Sequence, residues 1–355
     1  MPRAHALDLL RLIASLALAF GHLTSDAHLP PWFRAYLLAG LSSTLFFLLS
    51  GFVAAISASF WRESIGRNAA QRAWRLLPPH WFAFGLLLPL AIMGEDRISN
   101  GELRQTLLWW LPGLQGIMPP GISTIQWNFP AWAITPLLIG GLTLPWMRLA
   151  RVDTAKPVAL WLLLVTFLAL RLAHTLWNGA PADLPTYFQF HFALFPRLLE
   201  VYAGAMTGLL LAHHRVRFLE RDISFWICFV LPIAMLVAFT KLGGDAGKFY
   251  YTHGLFVPFG LLLLAAAYRN QGAVARFASH PVLVYLASVS ILIWLFHIPI
   301  DTYWKRGWLI LGVSLEWVQS FPSALLSLLA TIAFASLCRP LLLCRPFRSD
   351  GKQNN

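Results

Sequence analysis

The stretch Leu7 to His22 reads LDLLRLIASLALAFGH, an apolar run of bilayer type that nevertheless carries Asp8, Arg11 and His22. A charged group at the centre of a membrane helix costs about 3 kcal/mol on insertion scales, so such groups usually face a protein interior and mark a functional path. A histidine suits one task in particular. Its reference pKa of about 6.5 lets a neutral imidazole take a proton from a hydroxyl. Arg11 and His22 stand eleven positions apart, about three helical turns, which puts both on one face roughly 16 Å apart along the axis. Asp8 and Ser15 fall on the same stripe, and together the four are expected to line an interior tunnel.

Further polar groups recur at a matching depth. His297 lies in IWLFHIP, Arg197 and Glu200 in PRLLEVYAG, and Asn128 and Trp132 in WNFPAWAI. Counted along their segments, all five fall in the same outer third of the bilayer as His22. A lone histidine there fits a water interface as well as a base, but groups from several helices at one depth favour a site. Their lateral convergence is not encoded in any spacing. Toward the opposite face, RNAAQRAWRLLPPHW sets Arg72 and Arg75 three positions apart on one helix face, where two guanidiniums suit phosphate oxygens through forked hydrogen bonds. The pair also reads as a positive-inside anchor, which charge alone favours. On the phosphate reading, an anionic cofactor held there needs a slender arm of about 15–20 Å to bring a reactive group to His22, judged by helix rise. Pantetheine is such an arm, and Arg11 would lie beside its path.

These side chains need helices to hold them at depth, and the composition supplies them. Of 355 residues, 58% are hydrophobic and 12% charged; a soluble domain carries about twice that charged share. The expected fold is all-α, a polytopic integral membrane protein of about ten transmembrane helices. The apolar segments fall at 6–24, 36–57, 77–94, 131–148, 158–177, 193–213, 223–241, 251–268, 281–301 and 322–344. The net charge of +12 comes mainly from topology rather than from nucleic-acid binding. With the N-terminus cytoplasmic, seventeen of the 27 Lys and Arg residues fall on that side, among them Arg3, Arg62, Arg67, Arg148 and Arg345, against seven outside, including Arg34 and Arg97. This positive-inside asymmetry predicts that both termini are cytoplasmic. Arg11, Arg171 and Arg197 remain within the spans. The first span has the flanks of a signal peptide but no A-x-A-like site, and nine spans follow, so it reads as a retained helix. Cys228, Cys338 and Cys344 lack metal-ligand spacing and read as small packing residues. The loop from Glu95 to Phe129 contains TLLWWLPGLQGIMPPG, too short and broken to span. It reads as an interfacial or re-entrant segment with Trp109 and Trp110 at the headgroup level.

Five stretches together resemble the acyltransferase-3 family of bacterial membrane O-acyltransferases. They are LDLLRLIASLALAFGH, FFLLSGF at 46–52, RAWRLLP at 72–78, FPRLLEVYAGAMTG at 195–208 and SVSILIWLFHIP at 288–299, in the family's order across residues 7–299. The resemblance implies transfer of an acetyl or other short acyl group from cytoplasmic acyl-CoA to a hydroxyl of a glycan, lipid-linked sugar or small acceptor, at the bacterial inner membrane. It implies His22 as the base, Arg11 as its intramembrane partner, and Arg72 and Arg75 as the acyl-CoA-binding pair. His297 matches the late histidine of the pattern, while Asp8, Asn128, Trp132, Arg197 and Glu200 are carried as acceptor-side or supporting residues. No metal and no nucleic acid are expected. One acyltransferase-like transmembrane domain is expected over 1–345, with a short cytoplasmic tail over 346–355. One departure stands out: members often carry N-x-P-S-W-S-L-x-x-E before the fourth helix, where this chain has NFPAWAITPLL, with Ala133 in place of the Ser and Leu137 in place of the Glu. That implies a divergent acceptor site. A transporter or flippase is the rival from another class, since intramembrane Arg, Glu and His also make proton or substrate paths; a non-catalytic scaffold fits less well with so many costly polar groups.

Overall fold

A computed structural model describes residues 4–24, 36–93, 100–117, 128–180, 193–214 and 216–343. Among them the regular structure is helical, with no strand. The principal helices are α1 (His5–Leu23), α2 (Tyr36–Ile56), α3 (Ile65–Met93), α4 (Asn100–Trp110), α5 (Ile134–Thr143), α6 (Pro157–Asn178), α7 (Leu194–His213), α8 (Asp222–Tyr250), α9 (Phe256–Arg269), α10 (Pro281–Ile310) and α11 (Phe321–Leu342). The expected tail at 346–355, and Arg3, Arg34, Arg97 and Arg345 of the charge pattern, lie outside the described residues.

Among the described residues, six helical runs are long and apolar enough to cross a bilayer: α1, α6, α7, the run from Asp222 to Arg269, α10 and α11. Their outward faces invert the soluble pattern. On α6 the buried residues are Leu160, Leu164, Arg171 and Thr175, spaced to form one stripe, while Trp161, Leu162, Val165 and Leu176 are exposed. Apolar surface on that scale belongs against lipid, and a helix satisfies its own backbone there. This is a multi-pass membrane protein.

The 48-residue run Asp222–Arg269 is a hairpin rather than one rod. Gly244 takes φ 56° and ψ −141°, a conformation open to glycine, and beyond it Gly247 lies against the carbonyl of Phe239. The Tyr251 hydroxyl then donates to the Pro232 carbonyl at 2.7 Å, a contact that nineteen residues of straight helix would place roughly 28 Å apart. The segments expected at 223–241 and 251–268 are its two arms. The segment expected at 131–148 is also irregular: α5 has only ten residues and sits between 3-10 turns at Phe129–Ala133 and Leu144–Arg148.

Two helix pairs form the centre. Helices α2 and α7 run parallel, with Thr44 beside Glu200 and Leu48 beside Gly204. Their backbones approach so closely that a Cβ on Gly51 would overlap the carbonyl of Val201, and one on Gly204 that of Leu48. Small residues permit such approach where lipid offers no hydrophobic drive for association. Helices α1 and α10 are also parallel, held at one end by Arg11 and at the other by His22.

Trp110 faces the protein interior. It is 1% exposed, its ring stacks on His80 with centroids 5.4 Å apart, and its carbonyl accepts from His80 Nε2 at 2.9 Å. Helix α4 thus turns into the protein, where its last indole face and a helix-end carbonyl, which also accepts the Gly113 N–H, find partners on α3. Residues 118–127 of the same loop lie outside the described residues.

Candidate active site

His22 meets His297 across the α1–α10 seam, with Nδ1 of His22 2.9 Å from Nε2 of His297 and the rings near-parallel at 15°. The tautomers follow from a third group. His297 Nδ1 lies 2.7 Å from the carbonyl oxygen of Trp294, which only accepts, so that nitrogen carries the proton. In a neutral pair His297 Nε2 is therefore the acceptor and His22 Nδ1 the donor. The basic lone pair of His22 is left on Nε2.

A cavity borders His22. Its aromatic walls are Phe46, Phe47, Trp132 and Trp294, Ser43 adds a hydroxyl, and Leu18, Pro130, Ala133 and Leu137 complete the lining. The walls come from α1, α2, the Phe129–Ala133 turn, α5 and α10. Asn128 fixes that turn to α10 by donating from Nδ2 to the Leu295 carbonyl at 3.0 Å. The residues thus brought together are His22, His297, Trp132 and, one step behind, Asn128. Ala133 and Leu137, where the chain departs from the resembled pattern, both face this cavity.

Arg197 and Glu200 belong to a second cluster behind the aromatic wall. The Arg197 guanidinium sits 5.4 Å from the Phe47 ring and 5.5 Å from the Trp132 ring, and its Nη1 donates to both Glu200 oxygens at 3.0 Å. Arg171 donates from Nε to the same carboxylate at 2.9 Å and from Nη1 to Thr175 at 2.7 Å. Thr44 accepts from Arg197 at 3.1 Å. All three ionisable groups are buried, a state that requires pairing and full hydrogen bonding. The cluster ties α2, α6 and α7 together.

Arg11 and Asp8 form a 3.0 Å ion pair one turn apart. Arg11 also donates from Nε to Ser290 Oγ at 3.1 Å and from Nη2 to the Ala287 carbonyl at 2.9 Å, and Ser15 donates to the Arg11 carbonyl at 3.0 Å. The polar stripe of α1 therefore faces α10 at both ends. Arg72 stands elsewhere: its guanidinium lies 5.1 Å from the Phe60 ring and its stem packs on Gly141 of α5, with Arg75 exposed a turn away.

A family model described as an acyltransferase domain matches residues 4–339. The chain belongs to the acyltransferase-3 family. A comparison with curated proteins gives no match. For a membrane acyltransferase of this family, the His22–His297 pair beside a cavity is the part of the molecule equipped for proton transfer. Sequence reasoning placed both histidines at one depth but missed Ser43, Phe46, Phe47, Trp294 and Thr44, and it left Arg171 without a partner. The run SSTLFF offered no period or charge to single out its hydroxyls, since Ser and Thr are ordinary in membrane helices.

Proposed function

We propose that the protein moves an acetyl or other short acyl group from cytoplasmic acyl-CoA to a hydroxyl of a carbohydrate or related acceptor, at the bacterial inner membrane. One observation carries this reading: an imidazole, oriented by a second imidazole and a backbone carbonyl, bordering a cavity in a chain of an acyltransferase family. His22 Nε2 takes the proton of the acceptor hydroxyl, whose oxygen bonds to the thioester carbon. The carbon–sulfur bond breaks, and the departing thiolate receives that proton from His22. His297 accepts from His22 Nδ1–H and so holds the ring in its active tautomer, the role an orienting group plays for a catalytic base. Arg72 and Arg75 are assigned to the phosphates of the donor, with their face of α3 toward the cytoplasm.

The test is thiol release from acetyl-CoA by the purified protein, with mass analysis of the acceptor product. A transporter or flippase has no reason to cleave a thioester. Wild-type release that disappears in His22→Ala, with folded protein and acetyl-CoA binding retained, supports the reading; no release by the wild type overturns it.

A further inference from the structure

We propose that Phe60 and Gly141 form a socket that holds Arg72 in the orientation needed for the donor's phosphates, so that both are positioning residues for acyl-CoA. The proposal rests on the acyltransferase reading and on its assignment of Arg72. At the corner between α2 and α3, neighbouring arginines end on acceptors of the chain itself. Arg67 pairs with the Glu63 carboxylate at 3.9 Å, and Arg148 donates to the Glu63 carbonyl. Arg72 is different. It is half-buried, and among the described residues its guanidinium has no hydrogen-bond acceptor; its contacts are a ring on one side and a glycine on the other. Arg75, a turn along α3, adds a second positive charge, so an anion satisfies this corner better than the chain does.

Both sides of the socket are fixed. Phe60 lies in the short helix Ala58–Arg62 and is 5% exposed. Its carbonyl accepts from Asn68 Nδ2 at 2.8 Å, and the Trp61 ring meets it at 84° with centroids 5.0 Å apart. Asn68 precedes Arg72 by one turn of α3, so the helix that carries the arginine also anchors the ring beside it. The guanidinium carbon stands 5.1 Å from the centroid of that ring. A ring face attracts the cation but offers no oxygen to its N–H groups, which leaves the planar fork for phosphate oxygens. On the other side, a Cβ at position 141 would stand 2.9 Å from Arg72 Cδ and 3.4 Å from Arg72 Cβ. The first distance is well inside carbon–carbon contact, so any side chain there displaces the arginine stem. An arginine held in this way has already lost much of the rotamer freedom that binding would otherwise cost.

The experiment uses the full-length protein in detergent and acetyl-CoA as the probe, measured for equilibrium binding and for thiol release. Phe60→Leu and Gly141→Ala should each raise the dissociation constant and the KM about three- to tenfold, the scale of one cation–π contact, with kcat nearly unchanged. Phe60→Tyr keeps the ring face and should bind almost as the wild type does. A double-mutant cycle decides the matter. In an Arg72→Ala background, which itself weakens binding, neither Phe60→Leu nor Gly141→Ala should have a further effect, because no guanidinium is left to position. Gly141→Ala alone completes the cycle if Phe60→Leu does not fold. Equal losses with and without Arg72, or no loss in either socket variant, would overturn the proposal and reduce Phe60 and Gly141 to packing. Unchanged binding in Arg72→Ala, with thiol release intact, would overturn it too, leaving acyl transfer standing with another group on the phosphates. A wild type that neither binds nor cleaves acetyl-CoA overturns both readings.

Discussion

Two buried polar clusters flank one aromatic wall. On the cavity side, His22 and His297 share a single proton bridge, and His22 borders the open space. Behind Phe47 and Trp132, Arg171, Glu200 and Arg197 close on one another, with one carboxylate accepting from two guanidiniums. His22 is half-buried where the three ionisable groups behind the wall are fully buried, and the work differs too. A carboxylate that receives three charge-assisted bonds at 2.9–3.0 Å is committed to the fold, because every bond lost strands a charge away from water. A neutral imidazole pair has no such commitment: its proton bridge fixes a ring and puts the basic lone pair on the other nitrogen. Burial of polar groups alone therefore does not locate chemistry in this molecule, whereas burial beside a cavity does.

The largest expected effect separates the two clusters. His22→Ala should cut acyl transfer by about 10²–10⁴, the usual worth of a general base, while the thermal unfolding midpoint in detergent stays near that of the wild type. Glu200→Ala should do the reverse, leaving two buried guanidiniums without their carboxylate and destabilising the fold by about 3–5 kcal/mol. It would be read as a lower unfolding midpoint and a smaller yield of folded protein. If Glu200→Ala folded normally but lost turnover, the cluster behind the wall would belong to the site, and the contrast between the two regions would collapse.

A smaller effect sharpens the role of the second histidine. His297→Phe keeps a ring in the α1–α10 seam but removes the acceptor for His22 Nδ1–H, so the base loses its tautomer and turnover should fall by about 10²-fold or more, since wrong-tautomer histidines lose up to roughly 10⁴. In His297→Gln an amide oxygen can accept the same proton, so part of the rate should return with no change in acyl-CoA affinity. Equal loss in both variants, with weaker donor binding, would place His297 on the substrate rather than behind the base.

The fold was legible where the bilayer imposes a rule. Runs of about 20 apolar residues had to span or nearly span, so the ends of α1, α6, α7 and α11 fell within a few residues of their expected places. Legibility failed where packing decides. Nothing in the sequence announced that α4 would turn inward to seat Trp110 on His80, because a Trp pair reads equally as an interfacial anchor. The site divides in the same way. The depths of His22 and His297 follow from helix rise alone, but which helices are neighbours does not, and so the partnership of Arg171 with Glu200 from different helices was invisible. Ser43 gave no signal because its meaning comes from the cavity that α2 shares with α1 and α10.

Arg11 is the intermediate case, and the smallest expected effect decides to which kind of cluster it belongs. Its side chain is 34% exposed, unlike Arg171 or Arg197, yet its planar head meets three acceptors on two helices: Asp8, Ser290 and the Ala287 carbonyl. A lysine keeps the charge but gathers its donors on one nitrogen and cannot reproduce the fork. Partial exposure weakens the ion pair by screening, so Arg11→Lys should cost only about 1 kcal/mol of stability, from the lost hydrogen bonds to α10. Because those bonds set the register that brings His22 opposite His297 ten residues further along α10, the same variant should lower kcat a few-fold and leave the KM for acyl-CoA nearly unchanged. A clear rise in that KM with kcat preserved would instead place Arg11 against the donor, beside the pantetheine path, and would make the cytoplasmic end of the α1 stripe part of the binding site rather than the clamp that aligns it.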